Sequence, residues 1–215
     1  MENVEIALFP IPGSVSLPHS TVSLHVFEPR YRKMVQDAVA EKRRIGVAHT
    51  LKVIAEGKTP PGAPLSEVLS HNQRTYLAHP IFSAGFVQIK ETLEDGRLLI
   101  EIQMDCRYRI KEEVQQVPYK VVIAEPYFDK PEDSLTELRY QLDKRILELV
   151  EDPSGTVQKY LSSSEWLKQT DSEYSFHIFS MFQLDPDTLQ NVLELQSAQA
   201  RLGFLKDLLT RGPVQ

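Results

Sequence analysis

The sequence predicts an α+β chain: a small β-barrel or sandwich with one early helix, followed by a region that is helical throughout. Three observations carry this. Short runs of alternating apolar and polar residues recur up to about Phe128. The period changes once within that stretch, after Pro29. Beyond Asp129-Lys130-Pro131-Glu132-Asp133, a polar segment containing proline, helical spacing takes over. The expected division is a β-rich domain over 1–128 and a helical subdomain packed on it over 129–215.

The first elements are dictated by proline. Ile6, Leu8 and Phe9 form a strand that must end at Pro10 and Pro12, because neither has an N–H for a ladder, and Gly13 and Pro18 keep the chain turning. Val22, Leu24 and Val26 then alternate with Ser23 and His25, the period of a half-buried strand. Pro29 is suited to a first helical position, and Tyr31, Met34, Val35, Ala38 and Val39 follow on one helix face. Arg44 to Ala55 contains the next strand. Gly85 to Lys90 and Leu98 to Gln103 flank Asp95-Gly96, a tight hairpin signal, and Tyr119 to Tyr127 supplies a final strand. The 56–74 connection contains Pro60, Pro61, Gly62 and Pro64, too many breakers for a regular element, and is the long irregular loop where function or mobility is expected.

In the second half, Ser134 and Glu137 have capping-box spacing ahead of Leu135, Leu138, Leu142, Ile146 and Leu149. Helices are indicated around Val157 to Lys168, around Tyr174 to Phe182, and from Asp185-Pro186 onward, where an N-cap precedes a first-position proline. Ser197 can cap a last helix presenting Leu202, Leu205, Leu208 and Leu209 and stopping before Gly212-Pro213.

Leu8-Phe9-Pro10-Ile11-Pro12, then Leu24-His25-Val26-Phe27-Glu28-Pro29-Arg30-Tyr31-Arg32-Lys33-Met34, resembles the opening of the Lon amino-terminal substrate-recognition domain, particularly its stand-alone bacterial form. Asp95-Gly96-Arg97 and Arg107-Tyr108-Arg109-Ile110 look like that family's hairpin and following strand. Leu193-Glu194, Arg201-Leu202 and Leu208-Leu209 are similar to its helical tail. The resemblance covers most of the chain and implies a PUA-like pseudo-barrel with a carboxy-terminal helical region. It also implies a recognition module that lacks the ATPase and Ser-Lys protease domains of full-length Lon. Two departures stand out: Met104 and His19 occupy positions where glycine is common in the family, so the backbone is expected to bend less sharply at both.

Composition narrows the function classes. The chain has 215 residues, 41% of them hydrophobic, enough for a proper core. No run of about 18 apolar residues exists, and the start Met1-Glu2-Asn3-Val4-Glu5 lacks a secretory pattern, so a cytoplasmic protein without membrane contact is expected. The single cysteine, Cys106, permits neither an intrachain disulfide nor a cysteine zinc cage and reads as an ordinary strand residue. A formal charge of −6, from 24 Lys and Arg against 30 Asp and Glu, disfavours a phosphate-tracking surface, and so nucleic acid. Arg30, Arg32 and Lys33, with Lys42, Arg43 and Arg44, stand at opposite ends of one helix, where the last three suit its carboxy-terminal dipole.

Motifs for chemistry are absent. Gly57-Lys58-Thr59 has the tail of a phosphate loop but not its glycine-rich cradle, and there is no GxSxG elbow or Ser-x-x-K pair. None of the six histidines makes a strong zinc spacing; His71 and His79, flanking the long loop, are the best acid–base or metal candidates. No cofactor is expected. Candidate partner-binding residues are Glu28, Arg30 and Arg107, the charged residues that best match the family pattern, with Leu65, Val68, Leu69 and His71 in the loop. Glu28 and Arg30 could equally form an ion pair holding the helix to the barrel, and Phe27, Tyr31 and Tyr108 read as core.

The function expected on this basis is a non-enzymatic recognition or adaptor module. It would bind exposed or unfolded polypeptide segments, for a separate protease or chaperone or as a self-associating scaffold. The alternatives are a small-molecule-binding or hydrolytic enzyme with its site near the 56–74 loop, and an RNA-binding PUA-like module.

Overall fold

The computed structural model describes residues 2–55 and 75–211. The chain divides into two compact units, Met1–Phe128 and Asp129–Gln215.

Among the described residues, the first unit comprises β1 (Val4–Pro10), β2 (Thr21–Val26), α1 (Pro29–Glu41), β3 (Arg44–Ala48), β4 (Thr50–Ala55), β5 (Thr75–Ala78), β6 (Ile81–Thr92), β7 (Leu98–Gln115) and β8 (Lys120–Pro126). Strands run β2-β7-β6-β3-β1-β8, and β7 also pairs with β8, so β7, β6, β3, β1 and β8 close into a ring with β2 beside it. The β1–β3 pair is parallel and its neighbours antiparallel. Closure depends on β7. Its first part pairs with β2 and β6, and residues from Tyr108 to Gln115 pair with β8. Register shifts along β7 mark the bulges that curve it enough to serve both sides.

Burial on both faces explains the apolar run of β1. Ala7 joins Met34, Val35 and Ala38 of α1 in one core cluster, with Phe9 packed against it. Ile6 and Leu8 point the other way, into a cluster with Phe82 and Tyr108. The hairpin between β6 and β7 forms over Leu93 to Arg97, where Gly96 takes φ 79°, as its Asp-Gly signal requires. Gly85 is demanded by packing, since a Cβ there would lie 1.7 Å from the Gln103 carbonyl oxygen.

Several expectations need correction. Val39 is 45% exposed, because the buried face of α1 comprises Tyr31, Met34, Val35 and Ala38. The Arg44 to Ala55 segment is two strands in different sheets, with His49 at the joint. His19 does not relax the bend: at φ 66° it adopts the left-handed conformation glycine would take, held by its N–H donating to Met104 O at 2.9 Å and by Met104 N–H donating to Ser20 O. The cations after α1 are absorbed by carboxylates. Arg43 pairs with Glu41 and Glu5, and Arg44 with Asp105.

The second unit contains α2 (Thr136–Leu149), α3 (Thr156–Leu161), α4 (Ser164–Leu167), α5 (Asp171–His177), a 3₁₀ turn (Ile178–Met181), α6 (Pro186–Glu194) and α7 (Ala198–Arg211). The segment from Val157 to Lys168 is thus two short helices, the second capped by Ser163 Oγ accepting from Trp166 N–H. Asp185 and Ser197 cap α6 and α7 as their sequences require. The expected box at Ser134 and Glu137 does not form. Leu135 is the N-cap of α2, and its N–H donates to Asp171 Oδ2 at 2.9 Å, a carboxylate 36 residues away.

A polar cluster is embedded in this unit's apolar core. Arg201, fully buried, donates to both oxygens of Asp129, to Ser175 Oγ and to Leu195 O, with its guanidinium 3.9 Å above the Phe176 ring. Tyr174 Oη and Trp166 Nε1 both donate to Asp143. Burial raises the Asp143 carboxyl above its ordinary value, against the pull of those two donors and Arg139.

Candidate functional site

The chain's most unusual sequence feature, the proline-aromatic run after β1, builds a trough on the first unit. β1 ends at Pro10, which still pairs with Ala48 of β3, and Ile11 N–H is satisfied by Ala48 O at 2.9 Å. The end of β2 and the start of α1 lie beside this turn. Together they line a cavity of about 290 Å³ whose walls include Phe9, Pro10, Ile11, Phe27, Tyr31 and Tyr76. Pro10 and Tyr31 also line a neighbouring cavity that reaches Ile54, Thr75 and Pro118, so this second cavity shares two wall residues with the trough.

Tyr31 is its fixed point. Its ring stacks on Phe9 at 4.2 Å and carries the Arg30 guanidinium at 4.6 Å. Burial pushes its hydroxyl up to about 12, only partly offset by Arg30, so it stays protonated throughout the neutral range. Pro29 occupies the first position of α1, and Glu28 is the N-cap without lending its side chain to the cap. Its backbone carbonyl accepts from Tyr31 and Arg32. The carboxylate is thereby available to Arg30, whose Nη2 lies 2.9 Å from Oε2, with both side chains about nine-tenths buried. Arg30 Nη1 also donates to Thr75 Oγ1 at 2.8 Å, joining α1 to β5.

Of the sequence-derived candidates, then, Glu28 lines the trough, and Arg30, paired with it, lines the neighbouring cavity. Arg107 lines neither; it is 3% exposed on β7, with its guanidinium 5.1 Å from the Tyr127 ring. Leu65, Val68, Leu69 and His71 lie outside the described residues. His79 stacks on His49, centroids 5.3 Å apart, where β4 and β5 leave the barrel. Among the described residues no group of three His, Cys, Asp or Glu could hold a metal ion. Cys106 is half-buried, its thiol raised by burial, with Sγ 3.2 Å from Arg107 O, and offers no activated nucleophile.

Sequence reasoning missed Phe27, Ile11 and Tyr76 as a surface. Phe27 reads as core beside Val26, but it is only half-buried and faces the depression. The signal that could have found it was the proline density itself, which opens an apolar wall where it breaks a strand.

The fold defines the class: a Lon-type amino-terminal domain. A solved Lon N-terminal domain protein from Xanthomonas campestris is 20% identical, with 97% of this chain and 99% of that one covered at a TM-score of 0.58. The N-terminal domain of a Mycobacterium avium complex Lon protease is 13% identical, covering 96% and 98% at a TM-score of 0.63. The chain belongs to the family described as the ATP-dependent protease La (LON) substrate-binding domain, whose model matches residues 5–211. No curated protein matches it.

Proposed function

We propose that this chain is a polypeptide-recognition module with no chemistry of its own, a cytoplasmic substrate selector or adaptor that takes exposed apolar segments of unfolded proteins into the trough beside α1. The observation that carries the reading is the trough, an open depression walled by prolines and aromatic rings on a domain of the Lon substrate-binding family. Rigid rings and prolines lose little freedom when they are covered, so apolar contact there is not spent on ordering the site. The one carboxylate among its lining residues, Glu28, is neutralised by Arg30. A neutral apolar wall selects uncharged apolar side chains, and shallow docking suits many sequences rather than one.

The test is fluorescence anisotropy with a labelled, reduced and carboxymethylated globular protein, which cannot refold. The full chain should bind it, and the native, disulfide-intact form of the same protein should not compete. Equal competition by the native form would remove the apolar-segment reading. In parallel, repurified protein should hydrolyse neither ATP nor casein; an activity abolished by substituting a residue of this chain would overturn the non-enzymatic reading.

A further inference from the structure

The charge of the chain is unevenly distributed. Met1–Phe128 holds fifteen Lys and Arg against fifteen Asp and Glu, so the whole formal charge of −6 falls on Asp129–Gln215, with nine against fifteen. Within that acidic unit, three of the nine cations, Lys144, Arg145 and Lys206, line a single groove of about 250 Å³ between α2 and α7. Glu148 is the one carboxylate among its lining residues, and Leu142 is buried at its floor.

The other arginines of the helical core described above are paired with partly buried carboxylates, Arg201 with Asp129 and Arg139 with Asp171. Groove cations differ. Lys144 and Lys206 make no ion pair among the described residues, and Lys206 reaches across to Gln141 Oε1 at 3.3 Å. Arg145 shares a half-exposed Glu148 at 3.2 Å and spans toward Leu209 O at 3.5 Å. A local positive field in a unit that is otherwise strongly negative attracts anionic groups and concentrates ligands of that sign. We infer that the α2–α7 groove is a second interaction surface, distinct from the barrel trough, that takes an acidic peptide segment carrying an apolar side chain. Carboxylates lie against Lys144 and Lys206, and the apolar group covers the aliphatic stems of the groove's long side chains around Leu142.

The probe is a fluorescein-labelled synthetic peptide of alternating Glu and Leu, with the alternating Gln and Leu peptide as its control, titrated into the full chain. The Glu peptide should bind more tightly than the control, and its affinity should fall steeply between low salt and about 0.5 M. The Lys144→Glu/Lys206→Glu double variant should weaken it about tenfold. Lys144→Gln/Lys206→Gln, which removes the charges without reversing them, should give a smaller loss in the same direction, and both should keep the wild-type Trp166 unfolding transition. Phe27→Ser, in the barrel, should leave this binding unchanged. Equal affinity for the two peptides, or no loss in either lysine variant, overturns the proposal. So does displacement of the Glu peptide by an oligothymidylate that binds more tightly, which would make the groove a phosphate site.

Discussion

The two units of this chain hold their buried polar groups in different ways. In the barrel the largest fully buried side chains are apolar, among them Ile6, Met34, Ile45 and Phe82. Among its described residues Arg107 is the most buried charge at 3% exposure, and the fully buried Ser83 hydroxyl is answered by a backbone carbonyl, Ser16 O, at 2.6 Å. In the helical unit, a guanidinium is fully buried and two carboxylates are drawn inward to meet it or to accept from Tyr174 and Trp166. A closed ring of strands satisfies its own backbone groups and leaves only side chains to be packed. Short helices such as α3 and α4 leave terminal groups and connecting turns that polar side chains must answer. The barrel should therefore fail by steric change and the helical unit by loss of a charge partner.

The largest effect is expected at Arg201. Arg201→Ala strands the Asp129 carboxylate beside the emptied space, and breaking a buried pair from one side costs about 3–5 kcal/mol. The lone tryptophan, Trp166, reports on this unit, so a drop in its fluorescence unfolding midpoint checks the estimate. In the barrel, Gly85→Ala drives a methyl into the Gln103 carbonyl and should cost about 3 kcal/mol. Far-UV circular dichroism and amide exchange along β6 and β7 would show it; a neutral outcome would mean that the bulge opposite Gly85 is more yielding than a packed strand should be.

At the margin between these regimes lies the Glu28–Arg30 pair. Each alanine substitution should cost about 1–3 kcal/mol, and the double variant should cost less than the sum by about 1 kcal/mol. Strict additivity would mean that the two act independently. The smallest effect is a pH dependence. Burial raises Asp143 above its ordinary value of 3.8, so the folded unit takes up this proton before the unfolded chain does. Stability tied to Asp143 therefore increases as pH falls through the folded value and levels off below the unfolded one. Asp143→Asn keeps an oxygen for Tyr174 and Trp166 and should flatten that slope, as titration of the Trp166 transition would show.

The sequence made some of this legible and hid the rest for physical reasons. Strand, turn, strand and helix could be read from Val4 to Glu41 because proline and the change of period act locally. Asp185 and Ser197 were equally legible as caps. The start of α2 was not, because its N-cap N–H is answered by Asp171 from another helix. His19 misled because its left-handed backbone is held by a bond to β7 rather than by its own flexibility. The trough was illegible as a site because its walls come from the ends of β1, β2 and β5, which meet only after the ring has closed. The Glu28–Arg30 ion pair was legible because the two stand two positions apart in sequence, whereas Arg107, grouped with them by family resemblance and its place beside a strand end, is buried on β7.

The central claim is that apolar chain is captured by the barrel rather than by exposed apolar residues elsewhere. The most direct measurement compares binding of the labelled, carboxymethylated protein by wild type, by Phe27→Asp in the trough, and by Leu167→Asp on the helical unit, where Leu167 is 64% exposed. Losing one half-buried aromatic contact corresponds to about 1.5 kcal/mol, so Phe27→Asp should weaken binding about tenfold while Leu167→Asp leaves it unchanged. Equal losses in both variants, or a loss confined to Leu167→Asp, would contradict the account.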